Sequence, residues 1–455
     1  MLNDGDNMSI VGKSLRDIER IGTHSHIKGL GVVDGEVKKI ASGLVGQVEA
    51  RKAAWIVVKM IKKGKFAGKA ILLVGPPGTG KTAMAIAIAR ELGKDTPFMA
   101  ISGSEIYSAE MKKTEVLMQA LRKSIGIRVR EFRTVYEGMV KKMEIKFDRH
   151  PYNPYQQVPV EGYITLKTTK EEKTLSVPGS IISDMLNKGI VEGDVIWIDQ
   201  ETGRVYKVGK AKEGEKKYDI YGEEIVPIPS GPILKEKELI HTITLHDLDV
   251  LNARRGSLLS ILFGGPQERE IPSEVRTRVD ETVKEWIEEG KAEIIPGVLF
   301  IDDVHMLDIE AFSFLSRAME SDLSPIIILA SNRGFTKIRG TDIIAPHGLP
   351  LDLLDRLLII KTTPYKEDEI REIIKIRAKE EKVELEDGAL EILTELGVKQ
   401  SLRYAVQLLT PSYIISKERN HEKIKAEDVL EASKLFISMK ESSQYLKTHE
   451  ESFLK

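Results

Sequence analysis

The 455-residue chain contains no cysteine. That excludes disulfide frameworks, thiolate zinc knuckles and cysteine-ligated iron–sulfur clusters, and it fits an intracellular setting. Long apolar runs are also missing: stretches such as residues 298–301 and 326–330 fall far short of the ~20 residues a membrane helix needs. No charge sign dominates, since 68 Lys and Arg stand against 70 Asp and Glu, for a net charge of −2. Nucleic acid would therefore have to be held by a local patch rather than by a whole-chain field. The opening residues, Met1 to Asp6, form neither the basic nor the apolar region of a secretory signal. The expectation is a cytoplasmic protein, nuclear if the source is eukaryotic, with no membrane partner.

Hydrophobic residues make up 41% and charged residues 30%, an ordinary globular balance, and the length allows roughly three domains. Residues 69–74 form a short apolar run that suits a buried parallel strand. Gly75, Pro76, Pro77, Gly78, Thr79, Gly80, Lys81 and Thr82 follow, and Ala83 opens an Ala/Ile-rich helical stretch to Leu92. This is G-x-x-x-x-G-K-[ST] in the order strand, loop, helix. Glycines let several backbone N–H groups converge on phosphate oxygens, and the helix N-terminus adds its positive dipole. Lys81 is placed to neutralise the β- and γ-phosphates, and the Thr82 hydroxyl to ligate Mg²⁺.

A second buried strand runs over residues 297–302 and delivers Asp302 to the sheet edge, where it can hold Mg²⁺, with Asp303 next to it to polarise an attacking water. By itself an apolar run ending in Asp-Asp is a solvated strand end; the phosphate loop gives it meaning. A third strand, residues 325–330, leads to Ser331, Asn332 and Arg333. The guanine-reading Asn-Lys-x-Asp motif is incomplete at residues 187–190, so ATP and ADP are the expected nucleotides.

Between Lys81 and Asp302 the chain is far longer than one βαβ unit requires. Residues 152–228 carry short β runs, 163–168, 195–199 and 203–208, separated by turn residues, which predict an all-β barrel or sandwich inserted in the α/β core. Tyr163, Trp197, Tyr206 and Tyr218 lie among Lys167, Lys170, Lys207, Lys210, Lys216 and Lys217, while Glu171, Glu172, Glu213 and Glu215 dilute the charge. Two readings stay open: a stacking surface for single strands, or a solvated β surface with core aromatics. Arg254, Arg255 and Gly256, with Gly264, Gly265 and Pro266, read as a mobile loop; from Pro364 onward the chain reads as helical.

Beyond these motifs the sequence resembles the RuvB-like AAA+ ATPases, the group that includes Pontin and Reptin. The likeness rests on residues 23–31, 75–82, 112–118, 245–250, 304–308 and 346–356, and it runs from Ile21 to the C-terminus. It implies a P-loop core with a parallel sheet (residues 1–128 and 291–363), an inserted mainly-β domain like an oligonucleotide-binding fold (129–290), and a helical lid (364–455). It also implies hexameric rings, sometimes stacked as dodecamers, that act on single- or double-stranded DNA or, through the insertion, on protein partners. Asn332 then corresponds to sensor 1, Arg356 to an arginine finger reaching a neighbour's ATP, and Arg403, beside Leu402, to sensor 2. His24, His26, Gly43, Leu44, Val45 and Tyr365 match the adenine-side pocket. Taken alone, the histidines and Tyr365 read as packing residues, and Arg356 as a partner of Asp352 or Asp355.

One departure stands out. The family pattern Asp-Glu-Val-His is replaced here by Asp302-Asp303-Val304-His305, so the water-polarising carboxylate is one methylene shorter. The expected activity is ATP hydrolysis coupled to DNA unwinding or nucleoprotein remodelling, or an ATP-regulated assembly chaperone without helicase action.

Overall fold

The computed structural model describes residues 24–93, 95–107, 111–150, 153–211, 225–256, 270–321 and 323–448. Tyr218 with Lys216, Lys217, Glu213 and Glu215, and the glycines at 264 and 265 with Pro266, lie outside them. The chain divides into two compact units, one made of residues 1–127, 243–282 and 294–455, the other of residues 128–242 and 283–293. The expected insertion, 129–290, overlaps the second unit, while residues 243–256 and 270–282 pack with the first.

The first unit is built on five strands: β1 (Ala70–Val74), β2 (Phe98–Ser102), β3 (Val298–Asp302), β4 (Ile326–Ser331) and β5 (Leu357–Lys361). They pair in parallel in the order β5-β1-β4-β3-β2. Side chains alternate across a pleated sheet, and that alternation divides the core in two. Leu72, Leu299, Ile301, Ile327 and Leu329 face one way and pack with α3 (Lys113–Lys123) and α4 (Ile309–Met319) through Leu117, Leu121, Phe312 and Leu315. Ile71, Leu73, Val298, Phe300 and Ile328 face the other way, against α1 (Val48–Lys62) and α2 (Lys81–Leu92), where Ala54, Val57, Ala85 and Ile88 meet them. Both faces are covered, which is why these strands read as continuous apolar runs.

The C-terminal lid is helical: α5 (Glu367–Glu380), α6 (Asp387–Lys399), α7 (Leu402–Gln407), α8 (Leu409–Glu418) and α9 (Ala426–Leu435). Ile374, Leu393, Leu408, Leu409 and Val429 form its own core. The Glu369 carboxylate caps α5 by accepting the Lys366 N–H at 2.8 Å, and Asp428 does the same for α9 with Lys425 at 2.9 Å.

The second unit is mostly β, as expected. Ile225–Val226, Val205–Ala211, Asp194–Asp199, Ile125–His150, Asn153–Lys167 and Glu172–Pro178 pair in that order, antiparallel except for the first pair. A helix, Gly179–Asn187, packs on this sheet, and Val140, Ile164, Ile182, Met185 and Ile196 lie in the core between them. One sequence expectation is corrected. Arg254 to Gly256 end a helix, Leu245–Gly256, rather than forming a loop; with one buried face, Leu245, Leu248 and Asp249, this stretch carries helical rather than loop spacing.

Candidate nucleotide site

The loop between β1 and α2 has Gly75, Gly78 and Gly80 at φ of +156°, +77° and +81°, a region L side chains rarely adopt. At Gly75 an added Cβ would strike the Thr362 side chain and carbonyl, and at Gly80 the Tyr365 hydroxyl, whereas nothing lies within 4 Å of one at Gly78. The loop is thus braced from behind and open in front. Thr79 Oγ1 donates to the Pro76 carbonyl at 2.8 Å and meets Thr362 Oγ1 at 2.7 Å. Lys81 Nζ donates to the Gly75 and Pro76 carbonyls, both at 2.9 Å, which holds the ammonium at the loop's mouth. Burial pushes its pKa down, Asp302 and Asp303 pull it up, and Arg403 pushes it down again. The charges at the start of α2, at the end of β3 and just after it, and on α7 of the lid therefore influence one another. Thr82 and Ala83 follow on the half-buried first turn of α2.

β3 lies two strands from β1, ~10 Å across the sheet, and the parallel register brings both C-terminal ends to the same edge. Asp302 accepts the Asp303 N–H at 2.9 Å. Asp303 is in the left-handed region (φ 48°, ψ 46°), which aspartate tolerates better than most residues. Asn332, just beyond β4, donates its Nδ2 to Asp303 Oδ1 at 3.0 Å. Gly103, after β2, lies against the Asp303 carbonyl, which a Cβ there would meet at 2.6 Å. The donor set fits a magnesium nucleotide: backbone amides and an ammonium toward the phosphates, a hydroxyl and a carboxylate at Thr82 and Asp302 for a hard cation.

His24 and His26 lie 6.3 Å apart, ring centre to ring centre. Gly43 (φ +80°) presses on the His26 backbone so closely that a Cβ would overlap its carbonyl. Leu44 and Val45 are buried in a two-residue strand paired with Ile40–Ala41. Tyr365, which lies over Gly80, has its hydroxyl pKa pushed up to about 12 by burial and by Glu369. Leu402 is half-buried in the lid core and Arg403 exposed. Burial, then His26 and Arg377, lower the His24 pKa to about 4. In the unfolded chain it titrates near 6.5, so between these values the unfolded state binds a proton that the native state does not. Stability should therefore fall as pH drops from 6.5 toward 4, by about 2 kcal/mol once partial exposure is discounted. Urea unfolding at pH 7 and pH 5 checks this; a His24→Gln variant with the same pH dependence as the native chain would sink it.

Arg356 is placed apart from these groups. Its carbonyl accepts the Ala70 N–H at 3.4 Å, at the entry end of β1, whereas the phosphate loop leaves the exit end. Its guanidinium is exposed and pairs with Glu320, just past α4, at 2.5 Å. The expected partners Asp352 and Asp355 are replaced by a residue 36 positions earlier.

Three contributors escaped sequence reading. Thr362 backs the phosphate loop, and Gln47 pairs its side-chain amide with the Thr363 backbone, N–H at 3.1 Å and carbonyl at 2.5 Å. The third, Arg51, is wholly buried. Its signal was legible: a charged residue on the same helical stripe as Ala54 and Val58.

A P-loop, a strand-end carboxylate, a polar residue just past the neighbouring strand and a helical lid carrying an arginine define an AAA+ ATPase core. Comparison with protein-family models agrees: the TIP49 P-loop domain matches residues 20–368 and the TIP49 AAA-lid domain matches residues 373–438. The chain belongs to the TIP49 family, the RuvB-like group of Pontin and Reptin.

Proposed function

We propose that the chain forms a ring-shaped motor that hydrolyses ATP to ADP and phosphate and uses the cycle to move nucleic-acid strands or remodel nucleoprotein assemblies. The observation that carries this reading is the glycine loop with Lys81 held at its mouth, and Asp302 and the Asn332-bound Asp303 at the C-terminal end of a strand in the same parallel sheet. Loop amides and Lys81 hold the β- and γ-phosphates. Thr82 and Asp302 hold Mg²⁺, which when bound neutralises charge on those oxygens. Asp303, steadied by Asn332, orients the attacking water and takes its proton. Arg403 from the lid and Arg356 from a neighbouring subunit meet the charge that grows on the γ-phosphoryl oxygens, each with two planar donors. His24, His26, Gly43 and Tyr365 bound the nucleoside.

Replacing Lys81 by alanine should lower ATP turnover by about 10²–10³-fold, the scale for losing one charge-stabilising donor. Turnover at the native rate would assign hydrolysis to something other than this loop.

For the strand-handling step, support comes from the exposed Tyr206, which stacks 4.0 Å from the buried Trp197 at 13° and has Lys188 5.5 Å from its ring. Base stacking on such a ring contributes ~1–3 kcal/mol per base. A second reading, an assembly chaperone gripping protein partners, is favoured by a different feature. Many lysines of the unit are already matched to carboxylates: Lys141 with Glu172, Lys146 with Glu161, Lys207 with Asp194, and both Lys235 and Lys237 with Glu137. ATP turnover measured with and without single-stranded DNA, across a salt series, separates the two. Stimulation that fades steeply with salt supports strand handling; stimulation by protein partners alone supports the chaperone.

A further inference from the structure

Two polar side chains lie one turn apart at the start of α1, Gln47 just before the helix and Arg51 within it, and among the described residues the second is the largest fully buried side chain that carries a charge. Arg51 Nε donates to the Leu30 carbonyl at 2.8 Å, Nη1 to Gly46 at 3.1 Å and Lys39 at 3.3 Å, and Nη2 to Gly31 at 3.3 Å. Among the described residues no carboxylate pairs with it. Taking an unpaired guanidinium out of water is costly, and the surrounding α1 face, Ala54 and Val58, would accept an aliphatic residue at no such cost. What the arginine supplies instead is its fork: donors fixed in a plane that reach both ends of one segment, residues 30–31 and residues 39 and 46.

That segment has little else to hold its shape. Its four strands, Val32–Val33, Glu36–Val37, Ile40–Ala41 and Leu44–Val45, are two residues each, too short to stand alone as sheet. It nevertheless carries Gly43, pressed on His26, and Gly46, pressed on the Glu369 carboxylate at the start of the lid. Gln47, one turn earlier, grips Thr363, two residues before the Tyr365 whose hydroxyl lies on Gly80. The first turn of α1 is therefore tied to both walls of the nucleoside end of the site.

We propose that Arg51 is a positioning residue for that end: its guanidinium sets the backbone wall of residues 30–46 against His26 and Tyr365, and so governs how long a nucleotide is retained. The inference rests on the nucleotide-site reading above and adds to it the element that shapes the pocket without touching the phosphates.

The test uses the full chain and a fluorescent ADP analogue, with its Kd and dissociation rate measured for the native protein, Arg51→Met and Arg51→Lys. Methionine keeps the length of the stem and loses every donor; lysine keeps the charge and loses the fork. Arg51→Met should weaken ADP binding about 10–100-fold, the scale of one or two charge-assisted hydrogen bonds, mainly through faster dissociation. Arg51→Lys should recover part of that loss. The KM for ATP should rise by more than kcat falls, and the thermal shift produced by ADP should shrink by more than the melting temperature of the nucleotide-free protein drops. A merely structural role would lower the melting temperature and leave the ADP affinity of the folded fraction alone. If Arg51→Met fails to fold, Arg51→Lys decides: native ADP affinity and dissociation rate in that variant overturn the proposal, as they would in Arg51→Met. A native protein that binds no ADP overturns the nucleotide-site reading and this proposal together, whereas tight native binding with unchanged Arg51 variants overturns this proposal alone.

Discussion

Arg356→Ala is expected to reduce ATP turnover of the assembled protein by about 10³-fold or more, the range for losing an arginine that meets the transferring phosphoryl group, while ADP binding stays within about twofold. The reason is geometric. Arg356 sits beside Ala70, where β1 begins, and the phosphate loop leaves β1 after Val74. Five residues of strand separate the two, ~16 Å of chain, which is more than an arginine side chain spans. If Arg356 serves a phosphate, the phosphate belongs to another subunit. Its pair with Glu320 lies at the surface, with 42% and 59% of the two side chains exposed, and such pairs contribute little, so the guanidinium is free to be recruited. Mixing Arg356→Ala with Lys81→Ala subunits tests the arrangement directly. Each variant lacks what the other retains, so in the ring proposed above the mixture should regain part of the activity that neither shows alone. A loss below tenfold, or no rescue on mixing, returns Arg356 to a surface partner of Glu320.

The second large effect runs upward. Asp303→Glu should raise turnover by as much as about 10²-fold, because a catalytic group held ~1 Å short of its target sacrifices a factor of that order. In the structure the Asp303 carboxylate is already engaged by Asn332 at 3.0 Å, and its backbone sits in the left-handed region at φ 48°. The extra methylene would carry the carboxylate farther from the strand end without altering the phosphate loop. ADP affinity should stay within about twofold. Single-turnover hydrolysis and ADP titration check both halves; an equal or slower rate would show that the backbone here already compensates for the shorter side chain.

Much of the site was legible because its parts are local. A glycine loop has to follow a strand and open a helix, so the spacing of Gly75, Gly78, Gly80 and Lys81 carries its own geometry. The apolar runs at residues 69–74, 297–302 and 325–330 announced a sheet covered on both faces. Asp302 followed from the same logic, since a strand delivers its C-terminal end to the sheet edge, whereas the role of Asn332 came only from the family resemblance. The wall proposed for the nucleoside was harder. His24, Gly43 and Tyr365 are separated by up to 341 positions, and nothing in their spacing joins them without the family resemblance. Leu245–Gly256 was read in part as a loop because its glycine and paired arginines masked a helix with one buried face.

What the sequence by itself determined is the chemistry available and the edge of the sheet where it gathers, because strand, loop and helix are dictated by residues close together in the chain. Only the tertiary structure decided who braces whom. Gln47 against Thr363, Tyr365 over Gly80, Arg51 among four carbonyls and Arg356 against Glu320 are contacts between distant segments. Each depends on where the packed core places a side chain, and no local periodicity encodes that.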